Sequence, residues 1–194
     1  MPPLQPAKAE ASRPPEVWLR GNARPAIGLL AAMLILASLA VAAVVAAEPL
    51  SWGAWGAAAG AIAAVAAAAG LAWAAALPRL VRRGAVLDVR LSPLAIHRVP
   101  LEVVECVFPG SQPLGGDGAE HDATRRVSTL VLRLAERAVD WRSRPVAAAW
   151  GAWEDGSIVF DGRWCEPLSA HLAREISARL LEARREVAMP GTSP

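Results

Sequence analysis

The sequence predicts a membrane-spanning helical hairpin followed by a small, mainly-β domain with a C-terminal amphipathic helix. Two long runs without a charged side chain, residues 26–47 and 53–77, predict the hairpin. From residue 85 the apolar positions alternate, as they do in half-buried strands. From residue 168 they recur about every fourth position, as they do in a helix with one buried face.

Each of the two apolar runs is long enough to cross a membrane. At a rise of about 1.5 Å per residue, 22 and 25 residues both span a hydrocarbon core of about 30 Å. Residues 1–25 are rich in Pro, Ala and charge and lack an apolar period, which predicts a disordered cytoplasmic tail. Val45-Ala46-Ala47 resembles a signal-peptidase site, but the first run exceeds the 7–15 residues typical of a signal peptide, so we favour an uncleaved helix.

Charge around the hairpin predicts its orientation. Basic residues outnumber acidic ones before the first run, and the linker at residues 78–84 carries three arginines and no acid, whereas the tip carries only Glu48. The positive-inside rule then places both termini in the cytoplasm. Abundant Ala, Gly, Pro and Arg, with Lys8 as the one lysine, suggest a bacterial chain and hence the inner membrane. The domain after residue 84 has 13 Arg against 15 Asp plus Glu, which argues against nucleic-acid binding.

Two features of the hairpin and its linker are candidate contact sites. Gly56, Gly60 and Ala64 place small residues on one face of the second helix, which permits close helix packing. We expect this face to pack against the first helix; the alternative is contact with a second copy or another membrane protein. The linker arginines are candidates for contact with anionic headgroups; they are Arg79, Arg82 and Arg83.

The remaining chain predicts a mainly-β domain over residues 85–187, then a tail over 188–194. Seven short strands are expected, at residues 85–91, 95–98, 101–108, 127–134, 138–142, 146–153 and 157–160. A glycine-rich loop fills residues 109–126, and an amphipathic helix fills about 168–187.

This order of elements resembles a pleckstrin-homology-like (PH-like) barrel, and the preceding hairpin resembles that of bacterial membrane-anchored PH-like proteins. The resemblance also rests on Arg82-Arg83-Gly84 before the first strand and on Ile158-Val159-Phe160-Asp161 before the helix. It implies a non-catalytic module that binds a protein, a peptide or a lipid headgroup, without a cofactor. Another α+β sheet with a C-terminal helix, or a meander sheet, remains an alternative.

Three residues of the domain are candidates for chemistry or contact. Cys165 precedes the last helix beside Arg163, an arrangement that lowers a thiol pKa, and His171 follows as a possible base. The alternative function is therefore a thiol enzyme or redox sensor, although we favour a buried structural cysteine. Trp153 lies next to a turn, so we expect it to be exposed on an interaction surface. The acidic residues around His121 match no known metal-site spacing, and we expect no metal.

Together these observations predict an anchored, non-catalytic interaction or accessory protein of the inner membrane. Its expected partners are membrane lipids and another membrane protein or a second copy of the chain. A lipid-headgroup-sensing module is a further alternative.

Overall fold

The computed structural model describes residues 14–46, 52–113, 126–142 and 146–188. The chain divides into two compact units. One is the hairpin, Gly21–Leu77, and the other is a domain that combines residues 14–20 with the described residues from Pro78 onward.

The hairpin consists of α1, Arg24–Ala46, and α2, Trp52–Ala76. Both bounds agree with the predicted apolar runs to within two residues, which confirms the two helices. Both are long and apolar enough to cross a membrane, and their apolar surface is almost entirely exposed. Ala58, Ala61 and Val65 of α2 line one apolar groove with residues of α1, and their spacing of three and four is that of a helix-packing stripe.

The first sheet of the domain joins strands from both sides of the hairpin. It has the order β1-β2-β3-β4, with every neighbour antiparallel. The strands are Glu16–Leu19, Leu80–Arg83, Val86–Val89 and His97–Pro100. Two expectations are wrong here. Residues 16–19 are a strand and not part of a disordered tail, and Leu80–Arg83 is its partner strand and not a linker.

The second sheet has the order β5-β6-β9-β8-β7, again antiparallel throughout. Its strands are Val104–Pro113, Arg126–Leu134, Val146–Ala148, Gly151–Glu154 and Ser157–Asp161. The strand expected at residues 138–142 is instead a short helix, α3, Val139–Arg142. The strand expected at 146–153 is two strands, because the chain turns at Ala149 and Trp150.

The C-terminal helix α4, Ala170–Ala188, closes the domain and confirms the predicted amphipathic helix. Its buried residues face the hydrophobic core; they are Ala173, Ile176, Leu180 and Ala183. Ser177 Oγ donates to Val107 O of the second sheet at 2.9 Å, and Arg179 Nη1 donates to Val17 O of the first at 3.2 Å. The helix therefore contacts both sheets.

Candidate functional site

Arg79 lies two residues after the hairpin and is hydrogen-bonded to the domain through its backbone. Its N–H donates to Leu19 O and its carbonyl accepts from Arg90 N–H, both at 2.9 Å, so its backbone extends the first sheet. Its side chain is fully buried. The guanidinium lies over the ring of Trp150, 3.5 Å from the centroid, and Nε donates to Trp164 O at 3.1 Å. The expected headgroup contact is therefore wrong for Arg79.

The buried charge of Arg79 is compensated by the groups around it. Burial lowers the pKa of Arg79 to about 10, which still leaves it protonated at neutral pH. The indole face and the Trp164 carbonyl are a cation–π partner and a hydrogen-bond acceptor, which together offset the loss of water. This arrangement stabilises one fixed position for the returning chain.

The chain that leads into the hairpin is held by the same segment of the domain. Arg20 N–H donates to Glu166 Oε1 at 2.7 Å, and Glu166 N–H donates to Arg20 O at 3.1 Å. Residues 164–166 thus bind the chain both where it leaves for the hairpin and where it returns. We call Arg20, Arg79, Trp150, Trp164 and Glu166 the anchor cluster.

The thiol of Cys165 lies beside this cluster and is buried. Burial raises its pKa to about 12, against the opposing effect of the Arg79 charge. Since a thiolate is the nucleophilic form, the thiol is protonated and unreactive at neutral pH. His171 is exposed in the first turn of α4. The environment of Cys165 therefore does not support the thiol-enzyme alternative.

The other two linker arginines are held by carboxylates of the domain. Arg82 is mostly buried, and its Nη2 lies 2.6 Å from Glu186 Oε2. Arg83 is exposed, and its Nε lies 2.7 Å from Asp88 Oδ2. Of the three arginines predicted to contact headgroups, only Arg83 has an exposed side chain.

Trp153 is buried, which is the opposite of its expected position on an interaction surface. Its Nε1 donates to Trp141 O at 2.9 Å, and its ring stacks on that of Trp141 and meets the edge of His97. The turn after β8 exposes Glu154 and Asp155, but Trp153 points to the core side of its strand.

Among known protein families, curated proteins and solved structures, no match to this chain was found. The fold and the local chemistry therefore carry the functional argument. Within the described ranges, no group of three His, Cys, Asp or Glu side chains is placed to hold a metal. The acidic residues around His121 lie outside those ranges.

The small-residue face of α2, formed by Gly56, Gly60 and Ala64, is exposed. A Cβ added at Gly56 or Gly60 meets nothing within 4 Å, and Ala64 is exposed. At 3.6 residues per turn, this face lies roughly 120° around α2 from the stripe that begins with Ala58 and Ala61. The expectation that Gly56 and Gly60 close the hairpin is therefore wrong.

Proposed function

We propose that this chain is a two-pass protein of the bacterial inner membrane that presents a non-catalytic, PH-like interaction domain in the cytoplasm. The pairing of β1 with β2 carries the proposal. Leu19 lies opposite Leu80 and Glu16 opposite Arg82, although the whole hairpin separates these strands in the chain. The two flanks of the hairpin must then share one side of any membrane that it crosses.

The surface of the hairpin supports an anchoring role. Large apolar side chains are exposed along both helices, an arrangement that suits a hydrocarbon solvent and not water. They are Ile27, Leu29, Leu34, Ile35, Leu36, Leu39, Val41, Trp55, Ile62 and Trp73. Trp55 and Trp73 lie near opposite ends of α2, where indole rings suit the two membrane interfaces.

The charges next to the hairpin support a cytoplasmic domain. Arg20 and Arg24 adjoin the start of α1, and three arginines follow α2 within seven residues of its end. Positive residues near the ends of membrane helices favour the cytoplasmic side, whether or not they touch lipid.

The domain supports a binding role over catalysis. Two antiparallel sheets with one C-terminal helix across them suit a PH-like module, which the resemblance associates with protein, peptide or lipid binding. Cys165, the candidate nucleophile of the domain, is buried and has a raised pKa.

The open face of α2 supports association within the membrane. Small residues let two helix backbones approach closely, so Gly56, Gly60 and Ala64 suit a second copy of this chain or another membrane protein. Within the domain, the anchor cluster holds together the chain segments that lead into and out of the hairpin.

Cross-linking in native membranes with mass spectrometry tests the proposal. We expect an intermolecular cross-link in the full-length protein that is lost in a Gly56→Leu, Gly60→Leu variant. Gly28→Leu is the matched control, because Gly28 is an equally open glycine on α1. Cross-links that are only intramolecular, or an equal loss in the control, would contradict the proposed interface.

A further inference from the structure

The loop between β3 and β4, residues 90–96, exposes apolar side chains. Leu94 is 96% exposed and Ile96 is 49% exposed, and Leu94 has the greatest exposure of the large hydrophobic residues in the described ranges. Loops that face water are usually polar at such positions. Exposed aliphatic side chains at both Leu94 and Ile96 therefore indicate that this loop contacts an apolar environment.

Hydrogen bonds hold this loop in a defined conformation. Ala95 N–H donates to Ser92 Oγ at 3.1 Å, and Arg90 Nη1 donates to Pro93 O at 3.3 Å. Leu91 is buried, and its carbonyl accepts from Trp150 N–H at 3.0 Å. The loop is thus fastened to the domain at its base while Leu94 projects from it.

The register of the first sheet places this loop at a particular end of the domain. Leu19 lies opposite Leu80, Leu80 opposite Val89, and Val89 opposite His97, so these four residues form one row across the sheet. The chain leaves for α1 after Leu19 and returns from α2 just before Leu80. The 90–96 loop follows Val89, so it lies at the end of the first sheet at which both connections to the hairpin begin.

The chain between α2 and this end of the domain is short. Ala76, the last residue of α2, is three residues before Arg79, a span of at most about 11 Å. Arg79 O accepts from Arg90 N–H, at the base of the loop. The interfacial layer is itself roughly 5–7 Å thick on each side of the hydrocarbon core, so Leu94 is within reach of it.

The charges beside the loop suit an anionic lipid surface. Arg98, two residues after Ile96, has a side chain that is 82% exposed, and Arg20 is also exposed at this end. Asp88 Oδ1 lies 3.9 Å from Arg98 Nε, but the Asp88 side chain is only 13% exposed and its Oδ2 pairs more closely with Arg83 Nε, at 2.7 Å. Apolar side chains flanked by arginine are the pattern of segments that bind the membrane interface.

We infer that Leu94 and Ile96 insert into the headgroup–acyl boundary of the leaflet next to the domain. The loop would be a third membrane attachment, besides the two helices, and would fix which face of the domain points to the cytoplasm. The inference rests on the proposed membrane anchoring, but it uses residues that the anchoring does not.

Site-specific quenching tests this insertion in the full-length protein. Leu94→Cys, in a Cys106→Ser background, is labelled with an environment-sensitive fluorophore and reconstituted in phosphatidylethanolamine–phosphatidylglycerol vesicles. The vesicles also contain a lipid with a nitroxide group near the top of its acyl chain, which quenches fluorophores at that depth. Leu181→Cys is the matched control, because Leu181 is also exposed. Leu181 lies on α4 between Arg179 and Glu186. Arg179 pairs with Glu16 and Glu186 pairs with Arg82, and both partners lie toward the end of the first sheet that is opposite to the 90–96 loop.

We expect quenching at position 94 to exceed that at position 181 by at least about threefold, because only the former position reaches the boundary. Equal quenching at the two positions, whether weak or strong, would overturn the inference. Alkaline carbonate extraction separates this failure from loss of the anchor: a protein that stays in the vesicles without quenching at position 94 refutes the loop insertion alone. The buried Cys165 must stay unlabelled, which verifies the fold in each sample.

Discussion

The guanidinium carbon of Arg79 lies 3.5 Å from the ring centroid of Trp150, and this contact joins the two sheets of the domain. The Arg79 backbone continues the first sheet, whereas Trp150 forms the turn between β7 and β8 of the second. The contact is made by the residue at which the chain returns from the hairpin. The stability of the domain and the position at which the chain returns from the hairpin therefore depend on the same side chain.

Replacement of Arg79 is expected to destabilise the domain. Arg79→Ala removes a buried cation–π contact and the hydrogen bond to Trp164 O, and should lower the free energy of unfolding by about 2–4 kcal/mol. Arg79→Lys keeps the charge but loses the flat ring contact and the Nε donor, and should lower it by about 1–2 kcal/mol. Urea unfolding of the domain in detergent, followed by tryptophan fluorescence, measures both changes.

Arg83→Ala is the control for this pair of variants. The Arg83 side chain is 60% exposed, and its ion pair with Asp88 should contribute less than about 1 kcal/mol. If Arg79→Ala is no more destabilising than Arg83→Ala, the role assigned to the anchor cluster is wrong.

Two of the buried tryptophans, Trp18 and Trp153, should respond differently to the same substitution. Trp18 Nε1 has no hydrogen-bond partner among the described residues, whereas Trp153 Nε1 donates to Trp141 O at 2.9 Å. Trp153→Phe removes this part-buried hydrogen bond, whereas Trp18→Phe removes none, so Trp153→Phe should cost about 1–3 kcal/mol more than Trp18→Phe. Chemical denaturation of both variants measures the difference, and equal costs would contradict the assigned hydrogen bond.

Stability should fall as the pH rises above about 9, because of Cys165. The thiol keeps its proton in the folded domain, where its pKa is about 12, but loses it near pH 9.0 when unfolded. The unfolded state then binds fewer protons, so stability declines by up to about 1.4 kcal/mol per pH unit. Folded Arg79, whose pKa is about 10, loses its proton over pH 9–11 while the unfolded chain keeps it; this effect has the opposite sign and makes the net decline shallower.

The slope between pH 9 and 10 is therefore the informative quantity. It should be absent in Cys165→Ala, which has no thiol to titrate, and unchanged in Cys106→Ser, whose thiol is exposed. A wild-type protein without this slope, or with rapid alkylation of Cys165 at neutral pH, would show that the thiol is not buried as described.

The sequence was sufficient for elements with a long, regular pattern. The helices of the hairpin and the C-terminal helix were predicted within a few residues, because 19 or more residues carry each pattern. Strand β1 was missed because four residues are too few for a visible period, and its partner β2 lies beyond the hairpin. Val17-Trp18-Leu19 was the one available signal, an apolar triplet in a polar tail.

The candidate site was harder to predict than the elements. Arg79 looked like a membrane-surface residue because it follows a membrane helix and precedes two further arginines. Its burial depends on Trp150 and Trp164, which are more than 70 residues away in the chain, and no local pattern reports such a contact. The prediction that Trp153 is exposed was wrong for a similar reason, since a nearby turn does not determine which face of a strand is buried.

Labelling of Cys106 with a membrane-impermeant maleimide tests the central claim, a hairpin that holds the domain on the cytoplasmic face. Cys106 is exposed on β5 and Cys165 is buried, so the native protein carries one reporter thiol. We expect labelling in inverted inner-membrane vesicles and none in intact spheroplasts, with both thiols reacting after denaturation in detergent. Labelling of Cys106 in intact spheroplasts would contradict the account.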